Sequence, residues 1–235
     1  MAGARAGRMS ASMRTIAIVP AFNEARTIAD VVNGLTGVVD RVLVVDDGSS
    51  DGTAAIARRA GAEVLGYGGN RGKGHAIRTA IAVAMERGFT HALMLDGDMQ
   101  HLPSEAPRLL EAAATSGADV VLAERRFARD EMPASRYHAN RVGSRVLSWF
   151  VGGRFRDTQC GFRVFRLEAL RGITLKARGY DIETEMLVKL ARRGATMTTV
   201  PVTAVYAGQQ SKLRPVRDTT RTCFLAVYYR FIERP

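Results

Sequence analysis

Residues 93–101 join a short apolar run to a cluster of oxygen-bearing side chains. Asp96, Asp98 and Gln100 stand at alternate positions after the apolar residues. Because side chains alternate in direction at the end of an extended strand, we expect all three to point to the same side. Carboxylate and amide oxygens are ligands that suit Mg²⁺ or Mn²⁺, and such an ion commonly holds phosphate groups. The alternative is an acidic turn that faces solvent after a buried strand.

The three predicted strands that precede this cluster also end in residues of chemical interest. The first strand runs into Pro20–Glu24, where we expect Asn23 to cap the following helix. The second ends at Asp46 and Asp47, before a turn that contains glycine. The third leads into the basic loop Gly66–Gly74, where backbone amides at the start of a helix can bind an anion. The spacing of this loop differs from that of a Walker loop.

Strands and helices alternate over the first half of the chain, as the spacing of apolar residues predicts. The predicted strands are Thr15–Val19, Arg41–Val45, Glu63–Gly66, His91–Leu95 and Asp119–Ala123. The predicted helices are Glu24–Leu35, Thr53–Ala60, Lys73–Arg87 and Glu105–Thr115. This order predicts an α/β fold with a mostly parallel, doubly wound sheet, in which ligands bind beyond the carboxyl ends of the strands.

The regular alternation ends after residue 123, in an arginine-rich region at residues 124–145. Further helices are predicted around Val142–Val151 and Asp181–Arg193, and a strand pair around Thr196–Tyr206. The last segment, residues 215–235, predicts an amphipathic helix that can lie on a membrane or on the core. We therefore expect a disordered leader at residues 1–14, one domain at residues 15–214 and this C-terminal helix.

The chain is strongly basic, with 235 residues and a formal net charge of +11. This charge indicates an anionic partner, which can be nucleic acid, an anionic membrane surface or a phosphate-bearing small molecule. No stretch approaches the ~20 consecutive apolar residues of a membrane-spanning helix. Cys160 and Cys223 provide neither a disulfide framework nor a metal-binding spacing. These features predict a cytoplasmic protein that is soluble or peripheral at the cytoplasmic face of the membrane.

Six motifs occur in a fixed order along the chain. They are VPAFNE at Val19–Glu24, VDDGSSDGT at Val45–Thr53, NRGKG at Asn70–Gly74, DGDMQH at Asp96–His101, DTQCGFR at Asp157–Arg163 and GYDIETEM at Gly179–Met186. With these motifs the sequence resembles the family 2 glycosyltransferases. The resemblance is strongest to the polyprenyl-phosphate hexosyltransferases related to dolichol-phosphate mannose synthase. Each motif is common in isolation, whereas six in order are highly specific.

The resemblance implies a GT-A fold, a single Rossmann-like, mostly parallel sheet flanked by helices, with the amphipathic helix at the C-terminus. The implied reaction moves a hexose from a nucleotide sugar of the GDP-mannose or UDP-glucose type, with inversion at the anomeric carbon. The residues implied to bind the nucleotide sugar are Pro20, Phe22, Glu24, Asp47, Lys73, Asp96, Asp98 and Lys212. Asp96, Asp98 and Gln100 are implied to hold Mg²⁺ or Mn²⁺, which also makes Asp98 a catalytic candidate. A dication there stabilises the charge on a departing diphosphate without proton transfer.

The implied acceptor is a lipid phosphate, and we expect the structure that binds it in the arginine-rich region. The candidate acceptor-binding residues are Arg125, Arg126, Arg141, Ser144 and Gln159. A phosphate oxygen is already anionic near neutral pH, so it needs positioning more than a general base. A hydroxyl acceptor would need a base, which Asp181, Glu183 or Glu185 would supply. A helical ion pair is the alternative role for each of these acids.

One position departs from the family pattern. Many relatives that use polyprenyl phosphate carry an arginine five residues before the pair that corresponds to Ser211 and Lys212, where it reaches the donor pyrophosphate. This chain has Tyr206 at that position, and Lys212, Arg214 or Arg217 can supply the lost charge.

Two other classes of protein compete with this interpretation. A nucleotidyltransferase also uses paired acids and a metal, but its first strand usually ends in a glycine-rich signature, and this chain has Pro20–Glu24. A basic nucleic-acid-binding module would explain the charge but not the acids at successive strand ends. We therefore expect three partners, a nucleotide sugar donor, a lipid-phosphate acceptor and an anionic membrane surface, and no nucleic acid.

Overall fold

The computed structural model describes residues 13–125, 134–153, 155–203, 224–225 and 227–232. The strands within these ranges are β1 Thr15–Ala21, β2 Arg41–Asp46, β3 Glu63–Gly66, β4 His91–Met94, β5 Val120–Arg125, β6 Arg163–Arg166 and β7 Met197–Val202. The helices are α1 Ile28–Leu35, α2 Thr53–Arg59, α3 Lys73–Glu86, α4 Ala106–Ser116, α5 Ala134–Val151, α6 Leu167–Leu170 and α7 Ile182–Arg192. A 3-10 turn at Pro103–Glu105 precedes α4, and a π-helical turn at Tyr228–Ile232 lies near the C-terminus.

The strands form one sheet, which is mostly parallel as predicted, in the order β3-β2-β1-β4-β6-β5-β7. The exception is β6, which runs antiparallel to both β4 and β5. This strand escapes the sequence pattern because its four residues begin and end in arginine, which gives no apolar alternation. β7 pairs in parallel with β5, so the predicted strand near residue 200 is confirmed. The remainder of the predicted strand pair, residues 204–206, lies outside the described residues.

Helices cover both faces of the sheet and enclose two apolar cores. Leu35 of α1 and Leu109 of α4 pack on one face. Ile77 of α3, Leu147 of α5 and Leu187 of α7 pack on the other. The central strands β1 and β2 are buried on both faces, which is why they consist of nearly continuous apolar runs. The predicted doubly wound α/β architecture is therefore confirmed.

The ends of the chain are described only in part. Tyr229 of the π-helical turn is buried against the core that contains α5 and α7. Residues 215–223, 226 and 233–235 of the predicted C-terminal helix lie outside the described residues, as do residues 1–12 of the predicted leader. Among the residues that are described, no helix has the length and apolar character needed to cross a bilayer.

Candidate active site

The loop after β1 is hydrogen-bonded to the loop after β2. The backbone amides of Asn23 and Glu24 donate to Ser49 Oγ and Thr53 Oγ1, each at 2.9 Å. Asn23 adopts a φ of +56°, and its Oδ1 accepts the backbone amide of Ser50 at 3.0 Å. The predicted helix cap by Asn23 is therefore wrong, because its side chain joins the two loops and α1 begins further along the chain.

The residues predicted to bind the nucleoside lie at this edge of the sheet. Pro20 and Glu24 are half-buried, and the Phe22 side chain is exposed. Asp47 follows β2 and is buried. Lys212, the last predicted contact of the nucleotide sugar, lies outside the described residues.

The carboxylate of Asp47 fastens the basic loop to the end of β2. Its Oδ1 accepts the amide of Arg71 at 2.7 Å, and its Oδ2 accepts the amide of Gly72 at 2.8 Å. Gly48 has a φ of +82°, and a side chain there would collide with the backbone of Gly69. Glycine at this position therefore lets the basic loop approach the strand end, which places the start of α3 near the other site residues.

Lys73, the first residue of α3, lies between two carboxylates. Its Nζ is 2.6 Å from Oδ1 of Asp96, 2.7 Å from Oε1 of Glu183 and 5.2 Å from the ring centroid of Tyr180. Burial disfavours the ammonium, but the two carboxylates outweigh it and raise the pKa of Lys73 above its ordinary value. Burial also opposes ionisation of Asp96, yet Lys73 holds the pKa of this carboxyl below its usual value. Lys73 and Asp96 therefore form a charged pair at neutral pH.

The oxygen cluster after β4 lies in a turn. The strand ends at Met94, and Met99 adopts a φ of +60° between Asp98 and Gln100. The alternation of an extended strand therefore does not apply to these side chains. Oδ1 of Asp98 accepts the amide of Gln100 at 3.0 Å. Burial, followed by the charge of Asp96, raises the pKa of Asp98, so the two carboxyl groups are close enough to interact.

This donor set fits a hard divalent cation. Two neighbouring carboxylates repel each other, and a dication bound to both would remove that repulsion. In the described part of the chain, no three His, Cys, Asp or Glu side chains gather as a metal-binding group. A metal at Asp96 and Asp98 would therefore complete its coordination with amide, water or phosphate oxygens, as Mg²⁺ commonly does.

Arg125, at the end of β5, forms a two-point ion pair with Asp157. Its Nε lies 2.5 Å from Oδ2, and its Nη2 lies 3.1 Å from Oδ1. Asp157 is buried, and Nδ2 of Asn140 donates to its Oδ1 at 3.3 Å. Burial opposes the charge of Asp157, but Arg125 holds the pKa of the carboxyl below its ordinary value. Arg125 therefore anchors the loop that contains Asp157, while Arg126 lies outside the described residues.

Helix α5 covers this loop. Ser144 is buried, and its Oγ accepts the amide of Thr158 at 3.0 Å. Gln159 is half-buried, and Arg141 is exposed on the same helix as Ser144. Of the predicted acceptor-binding residues, Ser144 faces the protein interior behind the loop, whereas Arg141 faces solvent.

Glu185 of α7 holds the segment that precedes the helix. Its Oε2 accepts the amides of Lys176 and Ala177 at 3.0 and 2.8 Å, and Nζ of Lys189 lies 2.7 Å from its Oε1. The side chain is fully buried. These surroundings argue against the predicted role of Glu185 as a base, because both oxygens are engaged and neither reaches the surface.

The other two predicted bases keep some exposed surface. The Glu183 side chain is 11 % exposed beside Lys73. Asp181 is half-buried at the start of α7, and its Oδ1 accepts the amide of Gly179 at 3.0 Å. Asp181 is thus the more accessible carboxylate of the pair.

Arg163 and Gly161 belong to the site although the local sequence pattern assigned them no role. Arg163 is 1 % exposed, and its guanidinium donates to the carbonyls of Cys160 at 2.8 Å and Glu183 at 3.2 Å. A Cβ on Gly161 would lie 3.1 Å from carboxylate oxygens of both Asp96 and Glu183. No local signal pointed to either residue, because β6, which begins at Arg163, itself escapes the sequence pattern.

Comparison with known sequences identifies related proteins. The profile named Glycosyl transferase family 2 matches residues 16–174. Glycosyltransferase AglJ of Haloferax volcanii is 39% identical over 220 residues, which cover 91% of this chain and 70% of that protein. Undecaprenyl-phosphate mannosyltransferase of Micrococcus luteus is 34% identical over 206 residues, which cover 82% of this chain and 84% of that protein.

Comparison with solved structures identifies the same fold. Glucosyl-3-phosphoglycerate synthase from Mycobacterium tuberculosis, in complex with Mn²⁺, UDP and glucosyl-3-phosphoglycerate, matches with a TM-score of 0.71 and 21% sequence identity. The match covers 95% of this chain and 85% of that one. The predicted GT-A fold is confirmed by this likeness.

Proposed function

We propose that this chain, which belongs to glycosyl transferase family 2, transfers a hexose from a nucleotide sugar to a lipid phosphate, with inversion at the anomeric carbon. Because the chain belongs to this family, the domain is a hexosyltransferase. The two competing classes, a nucleotidyltransferase and a nucleic-acid-binding module, do not describe it. A divalent metal ion is part of the proposal.

The observation that carries the proposal is the meeting of Lys73, Asp96 and Asp98 beyond the strand ends. An ammonium can bind a phosphate oxygen, and paired carboxylates can bind a hard cation. Both would stabilise the negative charge that develops on the departing nucleoside diphosphate. The three side chains thus match the main electrostatic need of the reaction.

Asp96, Asp98 and Gln100 would hold Mg²⁺ or Mn²⁺. When bound, the ion supplies positive charge to the diphosphate leaving group. The related fold from Mycobacterium tuberculosis was crystallised with Mn²⁺ and UDP, which supports an ion of this type here.

The nucleoside is proposed to lie against the loops after β1 and β2. Pro20 and Phe22 offer apolar surface, and Phe22 is 38% exposed. The carboxylates of Glu24 and Asp47 offer hydrogen-bond acceptors for the base or ribose. Asp47 has a second task, since it also fixes the basic loop. Lys212 remains a proposed contact of the diphosphate.

The acceptor is proposed to be a lipid phosphate such as polyprenyl phosphate. Its anionic oxygen forms a bond to the anomeric carbon as the bond from that carbon to the diphosphate breaks, and no proton has to be removed. Arg125, Arg126, Arg141 and Gln159 would position the phosphate. The name of the Micrococcus luteus relative, an undecaprenyl-phosphate mannosyltransferase, supports this acceptor class.

A hydroxyl acceptor would instead require a general base. Asp181 is the best placed of the predicted bases, because Glu185 is engaged with the backbone and Glu183 is paired with Lys73. The two acceptor classes therefore differ in whether Asp181 matters for turnover.

The test is a panel of GDP- and UDP-hexoses with Mg²⁺ or Mn²⁺, offered with polyprenyl phosphate or with a hydroxyl acceptor. Released nucleoside diphosphate and the mass of the glycosylated acceptor are measured. We expect transfer to polyprenyl phosphate and loss of activity with a chelator. Transfer to the hydroxyl acceptor alone, or activity unchanged by the chelator, would contradict the proposal.

A further inference from the structure

Seven of the nine exposed large apolar side chains in the described part of the chain belong to α5 and residues 224–232. We call them the aromatic patch: Val142, Trp149, Phe224, Val227, Tyr228, Phe231 and Ile232. Trp149 is 73% exposed and Phe231 is 66% exposed. Single exposed apolar residues are common, but a cluster of this kind marks an interaction surface.

The two segments of the patch are packed against each other. The ring centroid of Phe150 lies 4.8 Å from that of Trp149 and 5.8 Å from that of Phe231. Tyr229 is buried, and its carbonyl accepts Nη1 of Arg192 at 2.7 Å. These contacts hold the C-terminal turn against α5 and α7, so the exposed rings of both segments form one surface.

The patch is bordered by positive charge. Arg141 and Arg145 are exposed at four-residue spacing before Trp149, which puts the three on one face of α5. Arg230 is exposed in the C-terminal turn. Neither α5 nor residues 224–232 contain Asp or Glu, although the chain has 23 acidic residues. Apolar and aromatic side chains bordered by arginine are typical of a surface that lies in the headgroup region of an anionic bilayer.

The helix that carries the patch also borders the loop at residues 157–159, which contains the proposed acceptor contact Gln159. Asn140 of α5 donates to Asp157, and Ser144 of α5 accepts the amide of Thr158. A bilayer that contacts α5 would therefore lie next to the loop that we propose receives the headgroup of a lipid acceptor. A flat, charged bilayer suits this surface because its headgroup phosphates pair with arginine while its acyl boundary receives the rings.

We propose that the aromatic patch docks this protein on an anionic lipid bilayer, with Trp149 and Phe231 inserted at the headgroup level. This inference deepens the proposed function and rests on it for the lipid nature of the acceptor. The bilayer itself is the partner, and the acceptor is not required for docking.

Trp149 is a direct reporter of docking because it is the single tryptophan of the chain. The full chain is mixed with phosphatidylcholine vesicles that contain phosphatidylglycerol, without nucleotide sugar or polyprenyl phosphate. We expect the Trp149 emission to shift to shorter wavelength and to be quenched by lipids brominated on the acyl chain. Vesicles of phosphatidylcholine alone, or high salt, should reduce the response.

Two variants keep the reporter and change the patch. Phe224→Ser with Ile232→Ser should weaken co-sedimentation with anionic vesicles about tenfold or more, because two exposed apolar side chains of the patch lose their contact with the bilayer. Arg145→Gln should weaken binding to the vesicles more than the matched change Arg58→Gln. Arg58 is also exposed, but it belongs to α2, which packs on the opposite face of the sheet.

The outcomes separate docking from the proposed function. If the protein sediments with the vesicles but its Trp149 emission does not change, the protein binds through another surface and the proposed docking surface is wrong. The proposal would also be wrong if the protein is a dimer whose Trp149 emission is already shifted without lipid, because a second copy would then cover the patch. Vesicle binding through the patch without sugar transfer to any lipid phosphate would leave docking standing and overturn the proposed acceptor.

Discussion

The ammonium of Lys73 lies 2.6 Å from Oδ1 of Asp96, the carboxylate that we propose as a metal ligand. In the proposed complex, the ammonium and the metal ion would therefore compete for one carboxylate. Lys73 also lies 2.7 Å from Glu183, which can retain the ammonium when a metal ion takes Asp96. We expect Lys73 to act as an internal counter-ion of the site before the nucleotide sugar and metal bind.

Replacing Lys73 by Met tests this relationship. The variant leaves Asp96 and Glu183 without their buried partner, so we expect the free energy of unfolding to fall by about 3–5 kcal/mol. Its affinity for Mn²⁺ in the absence of donor should rise, because the competing ammonium is gone, while its affinity for nucleoside diphosphate should fall. Titration calorimetry measures both affinities.

A matched control is Lys189→Met, which removes another ammonium paired with a buried carboxylate. It should lower stability without changing Mn²⁺ affinity. Equal Mn²⁺ affinity in Lys73→Met and the wild type would show that Lys73 does not compete for the site.

Asp98→Asn should lower turnover at least about 100-fold, because it removes a charge from the proposed metal site without changing side-chain volume. The fold should be retained, since the change also removes the repulsion between Asp98 and Asp96. Steady-state kinetics and thermal unfolding of the same preparation check the two parts. Turnover at the wild-type level would exclude the metal role of Asp98.

Asp157→Asn should destabilise the protein in a pH-dependent way. The folded-state pKa of Asp157 is lowered, so its ion pair with Arg125 contributes stability above the ordinary Asp pKa of about 4. That contribution is lost as the pH falls toward the lowered value. We expect the free energy of unfolding of the variant to be lower by about 3–5 kcal/mol at pH 7, because Arg125 loses its buried partner.

Urea unfolding of the wild type and Asp157→Asn between pH 7 and pH 3 measures this effect. The difference in the free energy of unfolding between the two proteins should become smaller as the pH falls below about 4. A difference that stays constant over this range would show that Asp157 stabilises the loop by hydrogen bonding alone.

Glu185→Gln distinguishes a base from a structural carboxylate. The side chain accepts two backbone amides and pairs with Lys189, so we expect the free energy of unfolding to fall by about 1–3 kcal/mol. The shape of the kcat profile against pH should not change. If the variant loses one limb of the kcat profile against pH while its free energy of unfolding is unchanged, Glu185 acts as a base.

Gly161→Ala should disturb the site with a small effect on the rest of the fold. The added methyl group would lie 3.1 Å from carboxylate oxygens of Asp96 and Glu183, so one of them must shift. We expect weaker Mn²⁺ binding and lower kcat with a near-normal thermal midpoint. Metal affinity equal to that of the wild type would mean that the carboxylates adapt without loss.

The strands other than β6, the helices of the first half of the chain and the donor-side motifs were predictable because their signals are local. β2 carries the apolar run of a buried strand and β3 is a short half-buried strand, and the observed bounds of both agree with the predicted ones to within a residue. The acids at Asp47 and Asp96 could be placed at one sheet edge, because parallel strands present their carboxyl ends on the same side. Asn23 shows the limit of this reasoning, since its hydrogen bond goes to a loop 27 positions away.

The chain's order of strand ends and motifs thus determined its fold class, its family and the region where a nucleotide sugar would bind. Tertiary structure alone decided which side chains meet. Lys73 and Glu183 are 110 positions apart. Arg125 and Asp157 meet because β5 pairs with the antiparallel strand β6, which no local pattern revealed and which brings the loop before β6 to the end of β5. The backbone partners of Glu185, which argue for a structural carboxylate, were likewise known only from the tertiary structure. The physical reason is that periodicity records which face of an element is buried, whereas pairing between distant charges depends on the order and direction in which the strands assemble.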